Sequence, residues 1–348
     1  MSRKNPCALL INDIHVSKDN IPEFQLNWDE ALQICKDHDI SDIIIGGDVW
    51  QARSAQTLST LTAVSQAITK ATSQGIRLLI AEGNHDKVDQ ESMVGYNHLF
   101  AGYKNVEVVD DYYIWDISDD VALFVMSYFP ENGSFIDILN DVKEDLDHNK
   151  KNVLYIHEGI NGGLATPSDD ELPANIFEPF DAVLVGHYHN RKRIPDTNIE
   201  YIGSSRQHNF GEDEEKGYTI LYTDGSYEFV KNQANTRYMV IEILDINDIN
   251  NAFLSRVQKI RDTGKYKIKV RVSCKSKEVS SIDKQKLLDC GVTKIELVTE
   301  QTKVKLTESQ SIEKKFDKNG IKEEYSNFCA EHAIKNVQMG LSYLDKIK

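Results

Sequence analysis

Eight polar residues follow short apolar runs directly or within a few positions: Asp13, His15, Asp48, Asn84, His85, His157, His187 and His189. The clearest case is Leu78-Leu-Ile-Ala-Glu-Gly-Asn-His-Asp86. A run fit for a strand buried on both faces stops abruptly there and presents an amide beside an imidazole. In open parallel sheets, chemistry collects just beyond the carboxyl ends of the strands. An amide oxygen and an imidazole placed there can hold one metal and one phosphate oxygen. Seven oxygen or imidazole ligands can fill two adjacent cation sites if one carboxylate bridges them. Asp48, on the middle one of the first three strands, is the natural bridge. Two cations about 3.5–4 Å apart clamp both the attacking and the leaving oxygen of a phosphoester. A carboxylate bridge mixed with imidazoles and an amide favours Mn²⁺ or Fe²⁺, with Mg²⁺ or Zn²⁺ as alternatives. A lone His or Asp after a strand is more often a cap or a satisfied polar contact, but five strand ends finishing alike outweigh that reading.

The elements that must position these groups can be read in order. Residues 7–12 form a strand, a helix follows with Phe24, Trp28, Leu32 and Cys35 at helical spacing, and Ile43–Ile45 is the next strand. A Ser/Thr/Ala-rich helix over 56–74 then leads to the strand at 76–81. Strand, helix, strand, helix, strand is the pattern of a parallel sheet built by crossovers. The spacing predicts three further strands at 106–109, 112–115 and 121–126, as a meander extending or facing the first sheet. A helix over 134–149, a strand at 153–156, a surface-exposed loop over 161–179 and a strand at 182–185 come next. Short strands surround 203–205 and 218–222, and Thr223-Asp-Gly-Ser226 has hairpin-turn chemistry. After a polar joint at 232–237 the pattern resets. Strands at 238–244, 265–273 and 294–298 alternate with helices at 248–262 and 281–290, and a charged helical tail over 308–348 carries an apolar stripe. The fold class expected is α/β, with a second small α/β unit and a helical tail.

The chain has 348 residues, 40% apolar and 27% charged, which suits roughly two domains with a substantial core. No apolar run reaches the length of a membrane span. Five scattered cysteines without a CxxC pair argue for a reducing compartment, hence a cytoplasmic location, and against zinc–thiolate chemistry. The net charge of −15 is unevenly spread. Residues 1–235 hold 18 Lys and Arg against 39 Asp and Glu, and residues 236–348 hold 22 against 16. An acidic body with a basic end is not the footprint of a freestanding nucleic-acid binder. It does allow a polyanion to be gripped from one side, or a partner to supply positive charge.

Asp13-Ile-His15, Gly47-Asp48, Gly83-Asn84-His85-Asp86, His157 and Gly186-His187-Tyr188-His189 resemble the five ordered motifs of the calcineurin-like metallophosphoesterases. The likeness spans residues 7–190 and implies a β-sandwich flanked by helices. Tyr201-Ile-Gly-Ser-Ser205, then Asn209-Phe-Gly-Glu212 and Lys216-Gly217, resemble the segment after the last motif in SbcD-type DNA nucleases, most like the short phage-type members. The resemblance implies a nuclease domain at 1–235, a capping, DNA-binding domain at 236–305 and an ATPase-binding tail at 306–348. It also implies a manganese-dependent exo- and endonuclease subunit that works on double- and single-stranded DNA with an SbcC-type ATPase, as a homodimer, in double-strand-break processing. Metal one would be held by Asp13, His15, Asp48 and His189, and metal two by Asp48, Asn84, His157 and His187. His85 would donate a hydrogen bond or a proton toward the leaving oxygen, oriented by Asp86. The chain departs from the family after the second motif, where members often place a Phe and some a phosphate-contacting histidine; here Trp50 and Arg53 occupy that region.

Candidate DNA contacts are Arg53, the cluster Arg191-Lys192-Arg193, and Lys267 and Lys269 in the alternating Lys265–Val272 strand, where one face would be basic and the other buried. An edge strand charged against aggregation is the competing account of that strand. Two other functions fit the same residues: a small-molecule phosphodiesterase or phosphatase, and a DNA-end tether with a secondary metal centre.

Overall fold

The computed structural model describes residues 4–164 and 171–299, together with Lys322, Tyr325, Ser326, Cys329, Val337, Gly340 and Leu341, which are helical. Apart from those seven residues, the expected tail helix lies outside the described residues. The first sheet is laid down by β1 (Pro6–Ile11), β2 (Asp42–Gly46), β3 (Arg77–Ala81) and β4 (Val106–Val109), paired in parallel in that order. The crossovers are α1 (Ile21–Asp37) and α2 (Leu58–Ser73). Pro22 in the first turn of α1 fits its fixed φ, and Thr57 caps α2 by accepting from Thr60 N. The indole of Trp28 donates to Ala67 O at 2.9 Å and ties the two helices together.

The second sheet holds β5 (Tyr112–Ser118), β6 (Val121–Met126), β7 (Lys151–His157), β8 (Ala182–Gly186), β9 (Lys192–Arg193) and β10 (Ile199–Tyr201), in the order β5-β6-β7-β8-β10-β9. Helix α3 (Phe135–Glu144) covers its outer face. The first sheet is completed by the antiparallel β11 (Gly217–Tyr222) and β12 (Tyr227–Lys231). Alternation along each central strand sorts the core into layers. Ala8, Leu10, Ile44 and Leu79 meet Leu123, Val125, Val153 and Leu184 between the sheets. Leu9, Ile43 and Leu78 face α1 and α2, while Phe124, Leu154 and Val183 face α3. The result is an α/β/β/α sandwich, two facing sheets flanked by helices. Leu123, with no exposed surface, sits between the sheets, so Leu123→Ala should lower unfolding free energy by about 2–5 kcal/mol, read from a urea midpoint at unchanged slope.

Three expectations are corrected. The segments at 106–109, 112–115 and 121–126 are not one meander: β4 pairs with β3, while β5 pairs with β6 in the other sheet. Periodicity marks a strand but not its partner. The helix expected over 134–149 ends at Glu144, where Asp145 caps it. The loop over 161–179 is not wholly on the surface, because Leu172 and Phe177 are buried and Leu172 exchanges backbone hydrogen bonds with Gly159 and Asn161.

A third, all-parallel sheet is formed by β13 (Arg237–Ile243), β14 (Tyr266–Cys274) and β15 (Val292–Thr299), with α4 (Asn251–Asp262) and α5 (Lys284–Asp289) as crossovers. It closes its own core around Val257, Ile268, Val270 and Leu287. The strand read as a possible charged edge, β14, is the central one. No described helix is long and apolar enough to cross a membrane.

Candidate metal centre

Strands β1, β2, β3, β7 and β8 all deliver their carboxyl ends to one edge of the sandwich, and the chain leaves β1, β2 and β8 through left-handed residues. Asp13, His15, Asp48 and His187 have φ of 51°, 49°, 55° and 90°, the left-handed region that costs non-glycine residues roughly 1–3 kcal/mol. Such strain persists only where surrounding contacts over-determine it. Here the two reversals are zipped together by Asp13 N to Gly47 O (3.1 Å), His15 N to Asp48 O (3.0 Å) and Val16 N to Val49 O (2.7 Å). Gly47 is required twice over: its φ is +103°, and a Cβ would stand 2.6 Å from His157 Nδ1.

These reversals aim the side chains inward. Asp48 Oδ2 lies 3.5 Å from His15 Nε2 and 3.3 Å from His157 Nε2. Asp13 Oδ1 is 3.8 Å from His157 Nε2 and 4.0 Å from His189 Nε2. The Nε2 atoms of His15 and His189 stand 3.0 Å apart. The Asn84 amide is 3.3 Å from His187 Nδ1 and, turned so that its nitrogen donates to Asp48 Oδ2 (3.3 Å), brings its oxygen against the Arg53 guanidinium. The outer nitrogens are anchored: Nδ1 faces Trp50 O in His15 (3.3 Å), Gly46 O in His157 (2.9 Å) and Glu212 in His189 (2.9 Å). These partners only accept, so each Nδ1 carries the proton and each Nε2 turns a lone pair toward the centre.

Imidazole lone pairs and carboxylates converging at these spacings are a cation's ligand set. Three overlapping groups have that geometry: Asp13, His15 and His189; His15, Asp48 and His85; and Asp13, Asp48 and His157. Their shared members fit two divalent cations. Burial pushes the His15 and His187 imidazoles down to about 4, which keeps them neutral as ligands must be. Burial opposes charge on Asp48, yet His157, His15 and His85 hold its carboxyl far below the usual range. His157 shows the reciprocal effect: burial alone would lower it, but Asp48 and Asp13 raise it to about 9, so a cation binding there displaces its Nε2 proton and takes over that lone pair.

All eight strand-end residues named from the sequence meet here. His85 is half-exposed at the open side, with Nδ1 donating to Gln51 O (2.8 Å) and backbone N to Asp48 Oδ1 (2.8 Å). Asp86 does not orient it. The Asp86 carboxylate instead accepts from the backbone N of Asp48 (2.7 Å), Gly83 (2.7 Å) and Trp50 (3.1 Å), bracing one reversal against the next. The basic candidates diverge from expectation, except for Arg53. Arg191 is spent on Glu200 (2.8 Å), Ile202 O and Thr219, and stacks on Phe229. Lys192 donates to Gly163 O (3.0 Å), and only Arg193 of that cluster remains exposed without a partner shown. Lys267 pairs with Glu23 (3.4 Å), and Lys269 with Glu296 on the neighbouring strand. Acidic residues brought alongside from β10, α1 and β15 neutralise Arg191, Lys267 and Lys269, a pairing that period-two spacing does not reveal. Missed from the sequence were Asn12, whose amide donates to Asp13 and to Gly203 O (3.0 Å), and His208, whose Nε2 donates to Asp13 O (2.8 Å). Missed too was the role of Glu212, although it stood within the stretch already noted.

Comparison with known proteins follows the same line. No family model matches the chain. It is 25% identical over 260 residues to a protein assigned as a phosphoesterase (078R) in Invertebrate iridescent virus 3, covering 70% of this chain and 72% of that one. A second such protein (244L), from Invertebrate iridescent virus 6, is 29% identical over 223 residues, covering 61% and 74%. The SbcD component of the SbcCD nuclease of Staphylococcus saprophyticus is 32% identical over 93 residues, 24% of this chain and 25% of that protein. Among solved structures, a dimetal phosphatase from Danio rerio is 11% identical and covers 56% of this chain and 85% of its own, with a TM-score of 0.39.

Proposed function

We infer that this chain, of the calcineurin-like phosphoesterase superfamily, is a metal-dependent phosphodiesterase whose substrate is DNA. One observation carries the chemistry: Asp13, His15, Asp48, Asn84, His157, His187 and His189 converge around the shared Asp48 carboxylate, with His85 on the open side. Two divalent cations held there would supply Lewis acidity to a phosphoester and to the attacking water. We assign Asp13, His15, Asp48 and His189 to one cation and Asp48, Asn84, His157 and His187 to the other, Asn84 by turning its amide oxygen from Arg53 to the cation, with Mn²⁺ as the metal. The chain's own groups do the rest. His85 Nε2, left free by the bond from Nδ1 to Gln51, faces the leaving oxygen and holds or delivers a proton there. Arg53, against Asn84, is placed to pair with a phosphate oxygen.

DNA as substrate rests on the likeness to the SbcD component of the SbcCD nuclease and on the third sheet, which is clamped onto the loop beside the centre. We assign 1–235 as the nuclease domain, 236–305 as the cap and 306–348 as the tail that engages an SbcC-type ATPase, within a homodimer in double-strand-break processing. The acidic body and the paired Lys267 and Lys269 favour a second reading, a small phosphoester as substrate, because little free positive charge is left to follow a backbone. An end-labelled duplex and a nitrophenyl phosphomonoester, each tested with Mn²⁺ and with EDTA, separate the two. Metal-dependent release of nucleotides is expected. Turnover of the monoester with intact DNA would establish the second reading.

A further inference from the structure

Glu212 lies outside the ligand set but touches it. His189 Nδ1 donates to Glu212 Oε1 at 2.9 Å, which leaves Nε2 facing His15 and Asp13. His15 and His157 are anchored differently, on backbone carbonyls at or just beyond the carboxyl end of β2. His189 alone of these three depends on a side chain, and it is also the more exposed, at 27%. The loop supplying that side chain is itself held. Glu212 accepts from His208 N (3.0 Å) and Asn209 Nδ2 (2.7 Å). Lys216, 3% exposed, donates to His189 O (2.7 Å) and Asn190 Oδ1 (2.6 Å), so one loop fixes both the backbone and the ring of His189. Gln207 clamps the loop to β13, its Oε1 accepting from Tyr238 N (2.7 Å) and its Nε2 donating to Tyr238 O (3.0 Å), while Phe210 packs edge-on against Tyr238.

We propose that Glu212 is a positioning residue that sets the tautomer and aim of His189 and thereby governs filling of the cation site His189 shares with Asp13 and His15. The other site shares only Asp48 with it, and Glu212 makes no hydrogen bond to Asn84, His157 or His187. The inference rests on the dinuclear reading above, and titrating Mn²⁺ into the metal-free full chain in a calorimeter separates the two. Two equivalents are expected for the unaltered protein; no uptake would fail the dinuclear reading itself. Glu212→Ala should weaken one equivalent by roughly 10–100-fold and leave the other unchanged. Glu212→Gln, which keeps an oxygen at the same reach, should recover most of that loss. Glu212→Asp, which keeps the charge but withdraws it by one methylene, should lose the same equivalent and carries the comparison if the alanine variant does not fold. Unchanged binding at both sites in Glu212→Asp, or equal weakening of both equivalents in every variant, would overturn the proposal.

Discussion

Asp48→Asn is expected to reduce phosphodiester hydrolysis by roughly 10³-fold or more and to disturb both cation sites rather than one. The substitution is nearly isosteric, and an amide oxygen can still accept from His85 N, the contact that holds the third-strand reversal in place at 2.8 Å. The loop geometry should therefore survive. What is lost is the negative charge facing His15 Nε2 and His157 Nε2 together, in a position almost closed to solvent. Adjacent dications repel each other strongly, and only an anion between them offsets that repulsion at short range. A neutral bridge leaves neither site tightly filled. Calorimetric titration with Mn²⁺ beside a diester assay checks both halves of the claim. Two equivalents bound with undiminished affinity would remove Asp48 from the role of bridge.

His85→Ala is expected to cut turnover by roughly 10²–10⁴-fold while metal uptake stays at two equivalents. Its imidazole is in reach of His15 and Asp48, so position alone would admit it as a ligand. Its surroundings point the other way. It is half-exposed where Asp13, Asp48 and His157 are buried, and its ring meets His15 edge-on at 4.9 Å. The bond from Nδ1 to Gln51 O leaves Nε2 toward whatever occupies the open side. A group acting on the departing oxygen matters most when the leaving group is poor. The loss should therefore be larger with DNA than with a nitrophenyl diester, whose leaving group departs without help. Loss of one metal equivalent in His85→Ala would instead place His85 among the ligands.

The strand ends were legible because each is a local event, an apolar run stopped by Gly, Asp or His. The sorting of β4 and β5 into different sheets was not, since Val106 and Tyr113 alternate in the same way whichever neighbour completes their hydrogen bonds. Asp86 shows a similar limit. Adjacent in sequence to His85, it reads as its partner, yet the reversal after β3 turns its carboxylate onto two backbone N–H groups of the loop after β2 and one of its own loop.

The amino-acid order alone determined which residues stand at the carboxyl ends of the strands, because strand direction carries each to the same end of its own parallel sheet, while the packing of two sheets brought those ends to one edge. Tertiary structure decided which of the charged groups remain free to act. Arg191, Lys192, Lys267 and Lys269 are neutralised or held by partners from 9 to 244 positions away in the chain, whereas Glu212 is brought against His189 from 23 positions away. Charge pairing is settled by distances of a few ångströms in the folded chain, and residue spacing carries no record of those distances.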